Sequence, residues 1–118
     1  MIKIVKGDIL TDFYYNTDTK ANRNKLYELK KDLLDSFSTF NSKVFEEGAL
    51  SVKTKELIAV AAAHVTRCPY CIAGHTRHAK EVGATDEEIA EAIFVATAMN
   101  AGASMAHSNI SMKVLVEK

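Results

Sequence analysis

The sequence of 118 residues predicts an all-α protein with one domain over residues 1–118, and three observations point that way. Apolar residues recur at steps of three and four over long stretches, which is the spacing of one helix face. Residues that start and stop helices punctuate the chain at Gly48, Ser51, Gly83 and Thr85. The single proline, Pro69, stands at a helix start, where its missing N–H would have had no partner.

Residues 1–20 are an N-terminal arm ahead of a helical body over 21–118. Ile2, Ile4 and Val5 suit a short extended segment, and "NTDT" at 16–19 is turn chemistry. From Ala21 the stripe Leu26, Leu29, Leu33, Phe37, Phe40 and Val44 predicts one helix, closed by Gly48. Ser51 caps a second helix that runs to about Thr66. Pro69 opens a third, which Gly83 ends. "TDEE" at 85–88 reads as a capping box, with Thr85 as cap and Glu88 reaching back. Ile89, Ala92, Ile93, Ala96 and Met99 then stripe a fourth helix. After Gly102 a final helix is expected, with a short strand at "KVLV" as the alternative.

Bulk properties narrow the function classes. Fifteen basic residues balance fifteen acidic ones, and neither sign forms a long block, which argues against nucleic acid or an anionic membrane as partner. No apolar run is expected to approach the roughly 18 residues of a membrane span. The opening "MIKIVKGDIL" carries lysines inside its apolar stretch, unlike a signal peptide, so the expected location is cytoplasmic. There a Cys-x-x-Cys points to catalysis, redox cycling or metal before a structural disulfide.

The two cysteines of the chain lie in "TRCPYCIAGHTRH" at 66–78. Cys68, Cys71, His75 and His78 have the ligand types for zinc, but on one helix they would span about 15 Å of axis, too far to reach a single ion. No metal is therefore expected, although a site shared between chains stays open. Small buried cysteines would explain either residue alone, without the 68, 71, 75 spacing. A redox pair uses every element. A helix N-terminus stabilises a thiolate, and two cysteines one turn apart can close and reopen a disulfide. His75 lies one turn beyond Cys71 on the same face, placed to take its proton.

If helices two and three form an antiparallel hairpin turning near Arg67, Glu56 and His75 differ in level by roughly 4–5 Å, less than one turn. A carboxylate there would fix the imidazole tautomer and raise its basicity. The expected order is Glu56, His75, Cys71, Cys68, from the buried end to solvent. The bland alternative for Glu56 is a first-turn acid complementing the helix dipole. His64, two turns beyond Glu56, either faces the same cleft or packs against its surroundings through a hydrogen bond. Tyr70 either contacts substrate or fills space. His78 and His107 are expected at the surface or an interface.

"CPYC" is also the glutaredoxin motif, but there it follows a strand in a βαβ unit, whereas "KELIAVAAAHVTR" precedes it here and reads as helix. A better match covers nearly the whole helical body. The segment from "VFEEGALSVKTKELIAV" through "GATDEEIAEAIFVA" strongly resembles the carboxymuconolactone decarboxylase family, in its alkylhydroperoxidase D-like branch. Its signature is a glutamate twelve residues before a Cys-x-x-Cys and a histidine four after it, matched here by Glu56, Cys68, Cys71 and His75. The resemblance implies the helical fold of that branch, assembly as homotrimers or homohexamers, and thiol-dependent reduction of hydroperoxides. It implies no cofactor beyond the redox-active disulfide Cys68–Cys71. Cys71 would be peroxidatic and Cys68 resolving, with His75 and Glu56 as proton relay and a dithiol or protein thiol as electron donor. Some members carry a second histidine between the cysteines, where this chain has Tyr70, a poor proton carrier at neutral pH. Two other functions stay open: a lactone decarboxylase that does not rely on the cysteines, and a disulfide relay for a peroxiredoxin-like partner.

Overall fold

The computed structural model describes residues 19–118, which fold as five helices, with no strand among them. Almost all of the N-terminal arm, with its expected extended segment, lies outside the described residues. The chain divides into two compact units, residues 1–49 and 50–118.

In the first unit, α1 (Lys20–Leu29) and α2 (Lys31–Val44) replace the single helix expected from Ala21. The break is one residue wide. Lys30 takes φ −146° and ψ 59°, although its N–H still donates to the Leu26 carbonyl at 3.1 Å. No glycine or proline marks this position, so the stripe of apolar residues runs through it unchanged. Leu26, Leu29, Leu33, Phe37, Phe40 and Val44 are all exposed. The second helix stops at Val44, four residues before Gly48. Backbone bonds close it, Phe45 N–H to Asn41 O and Glu46 N–H to Lys43 O, both 3.3 Å, and glycine is not needed.

The second unit holds α3 (Val52–Thr66), α4 (Pro69–Glu81) and α5 (Asp86–Val116). Ser51 caps α3 as expected, its Oγ accepting the Thr54 N–H at 3.1 Å. Arg67 then turns the chain in a left-handed conformation, φ 60°, its N–H bonded to Ala63 O at 2.8 Å. Pro69 sits in the first turn of α4, and Gly83, at φ 94°, makes the next turn. Thr85 and Glu88 form the full capping box, with bonds of 3.0 and 3.1 Å.

The core of this unit is small. Val60, Ala79, Ala84 and Ile89 are buried together, with Leu57 and Ile93 packed against them. Three of its helices meet there through short side chains, with Ala63 and Ala96 also buried. Ion pairs brace the rim, Lys53 with Glu88 at 2.7 Å and Lys80 with Asp86 at 2.6 Å.

The two segments expected on either side of Gly102 are one helix of 31 residues, about 46 Å long. No strand forms at "KVLV". A single glycine inside a helix costs about 1 kcal/mol, too little to divide a helix otherwise made of good formers. The merger makes a longer apolar segment than the sequence reading expected. Among the described residues α5 is, by length and composition alone, long and apolar enough to cross a bilayer. Beyond Ala96 every residue of α5 is exposed in the single chain.

Candidate functional site

The site lies between the first half of α3 and the first two turns of α4. Glu56, one turn into α3, is the one charged side chain buried among the described residues, at 6% exposure. Its Oε2 lies 2.7 Å from Nδ1 of His75. A carboxylate can only accept, so the imidazole proton is on Nδ1 and the ring lone pair is on Nε2. The near-level placement expected of the two residues is therefore realised as a direct bond, and α4 runs back along α3 to make it.

The cysteines bracket the start of α4. Cys68 is its N-cap, with φ −96° and ψ 104°, and its Sγ accepts the Cys71 N–H at 3.3 Å. Both thiols are unbridged and half-buried. The Cys71 thiol donates a hydrogen bond to the Cys68 sulfur, which holds the Cys68 thiol below the ordinary range. The N–H groups of Cys71 and Tyr70 add to that effect. The same bond, with burial behind it, pushes Cys71 up. Of the two thiols Cys68 is therefore the one that ionises more readily, and Cys71 the one that holds its proton more firmly. His75, four residues on, is one turn from Cys71 along the same face.

The other sequence-predicted residues separate. His64 turns back on its own helix, Nδ1–H donating to Val60 O at 2.8 Å, which is the packing alternative. His107 does the same to Ala103 O at 2.8 Å, far along α5. Tyr70 stands exposed beside the cysteines. His78 is expected at the surface or an interface. Its side chain is 54% exposed, yet its Nδ1 lies 3.9 Å from the second oxygen of Glu56. The rings of His75 and His78 meet edge to face, with centroids 5.8 Å apart. Their spacing of three residues on one helix was the available signal.

Residues 31–110 match the family model described as the carboxymuconolactone decarboxylase family. The chain belongs to that family. The match spans both compact units and contains every residue of the site. A protein of Paracoccus denitrificans, called uncharacterized protein 4 in the cox locus, is 54% identical over 83 residues, covering 70% of this chain and 75% of that protein. Two crystal structures share the fold. One, of a protein from Methanobacterium thermoautotrophicum, has TM-score 0.69 and 35% identity over 72% of this chain and 96% of the other. The second is a carboxymuconolactone decarboxylase family protein from Legionella pneumophila in its apo form. It has TM-score 0.66 and 34% identity, covering 78% of this chain and 82% of that one.

Proposed function

We propose that this family member is a thiol–disulfide oxidoreductase that reduces hydroperoxides. The observation that carries the reading is the 2.7 Å bond between the buried Glu56 and His75, one helical turn from an unbridged Cys-x-x-Cys. The pair needs a base because Cys71 holds its proton above the ordinary thiol range, through its bond to Cys68 and its burial. Nε2 of His75 takes that proton, and Glu56 stabilises the imidazolium that results. The Cys71 sulfur attacks the peroxide O–O bond, giving the sulfenic acid and, after protonation, the alcohol. Cys68, held towards its thiolate form, attacks the sulfenic sulfur; the disulfide closes and the hydroxyl leaves as water. An external dithiol returns two electrons and two protons, and is itself oxidised to a disulfide.

Reduced protein should consume an organic hydroperoxide in the presence of dithiothreitol, and Cys71→Ser should abolish turnover. Undiminished turnover in that variant would end the proposal. A disulfide relay for a partner protein is the second reading, favoured by the acidity of Cys68 and the exposed Tyr70 beside it. It predicts a mixed disulfide trapped on Cys68 in Cys71→Ser and negligible consumption of free peroxide. The reading also includes a cytoplasmic location, whose reducing thiols would supply the electrons, and a homo-oligomer. The apolar residues of α5 support the oligomer, since Phe94, Met99, Met105 and Ile110 are exposed in the single chain. A monomer by sedimentation at micromolar concentration would refute the oligomer.

A further inference from the structure

Glu56 sits between two imidazoles, hydrogen-bonded to His75 at 2.7 Å and 3.9 Å from His78. The ligating atoms of Glu56, His75 and His78 all lie within 4.8 Å of one another. We propose that these three side chains form a binding site for a divalent transition ion of the zinc class, and that the ion switches the His75 base off.

The geometry argues for it in three steps. In a tetrahedral site with bonds of about 2.0–2.1 Å, neighbouring ligand atoms stand about 3.3 Å apart. His75 Nδ1 lies 2.7 Å from one carboxylate oxygen, and His78 Nδ1 lies 3.9 Å from the other. With one ligand atom from each residue, all within 4.8 Å of one another, the spacings must change by at most about 1.5 Å to reach that value, within reach of side-chain torsions. The backbone already supplies the scaffold, because His75 and His78 are one turn apart on α4 while Glu56 approaches from α3. The near-perpendicular rings, at 88°, can share one ion without clashing. The donor set also fits. Two imidazoles and a carboxylate are ligands suited to zinc, and three protein ligands leave a fourth position for water. The exposed His78 gives the ion a route in from solvent, and the buried carboxylate supplies the negative charge that attracts it.

This set differs from the cysteine–histidine quartet weighed from the sequence, which needed reach along a single helix. Two helices solve that problem. The chemical consequence follows from the tautomer. The proton of His75 now resides on Nδ1, donated to Glu56; a metal ion on Nδ1 moves it to Nε2. The nitrogen required to accept the Cys71 proton is then itself protonated. Binding stands independently of the redox reading, whereas the loss of base function rests on it.

Cobalt(II) is the probe that separates the alternatives. Titrated into the full-length protein, it should give one equivalent per chain and a tetrahedral visible spectrum without a sulfur-to-cobalt charge-transfer band. The double variant Cys68→Ser/Cys71→Ser should keep that spectrum. His78→Ala, an exposed substitution that leaves the His75–Glu56 bond in place, should weaken binding at least about tenfold. In peroxide turnover, zinc should inhibit the wild type, and its potency measured against each protein's own zinc-free rate should fall at least about tenfold in His78→Ala. Absence of cobalt binding at millimolar concentration would overturn the site, as would a charge-transfer band that disappears with the cysteines. Cobalt binding without any peroxide turnover in the zinc-free protein would sustain the site and sink the redox reading instead.

Discussion

Replacing Glu56 by Gln tests the relay at its buried end. The amide has nearly the shape of the carboxylate but removes the charge facing His75. The bond lost is charge-assisted and short, 2.7 Å, between a carboxylate at 6% exposure and an imidazole whose side chain is 25% exposed. Hydrogen bonds to charged groups contribute about 1.5–3 kcal/mol, and the low exposure places this one at about 2–3 kcal/mol. If that energy is felt as His75 becomes imidazolium, proton removal slows roughly 30- to 150-fold. The amide can also turn its NH2 towards Nδ1, which forces the ring proton onto Nε2 and deepens the loss. The assay is single-turnover oxidation of the reduced thiols by an organic hydroperoxide at neutral pH, with circular dichroism to verify the fold. A folded Glu56→Gln protein reacting within about twofold of wild type would refute the reasoning.

Alkylation with iodoacetamide across pH should modify Cys68 at lower pH than Cys71, as their opposite shifts require. Because the Cys71 S–H stabilises the Cys68 anion, Cys71→Ala should raise the Cys68 pKa, while Cys71→Ser, which keeps a hydroxyl donor, should raise it less. Gly83→Ala places a side chain at φ 94° in open space, so its cost is wholly backbone, about 1–2 kcal/mol by urea unfolding. Val60→Ala empties the fully buried centre of the α3–α4–α5 core and should cost roughly 2–3 kcal/mol by the same measurement.

The parts of this fold that could be read from residues are those written in local chemistry. Ser51, Pro69, Gly83 and the Thr85–Glu88 box each act on backbone groups within a few residues, and each occupies its expected role. The Glu56–His75 contact was legible because two helices joined by a short turn leave little freedom in register. What failed was decided elsewhere. The break at Lys30 carries no breaker residue, so periodicity alone could not find it. Gly102 looked like an end, yet the helix passes through it. His78 reads as a surface or interface residue, and its approach to Glu56 depends on α3, an element outside its own helix. The acidity order of the thiols lay beyond spacing too, since it depends on which sulfur donates to the other.

Cys68 is at once half of the dithiol and the residue whose sulfur receives an amide hydrogen at the mouth of α4. Where Cys68 is ionised, oxidation takes the negative charge off that sulfur, so the helix loses an anionic acceptor when the disulfide closes. The dithiol state is favoured by that difference, about 1 kcal/mol for a capping contact, which corresponds to about 20 mV in a two-electron couple. The scaffold thereby tilts the pair towards accepting electrons, and a redesign of the cap would retune the voltage without altering either cysteine.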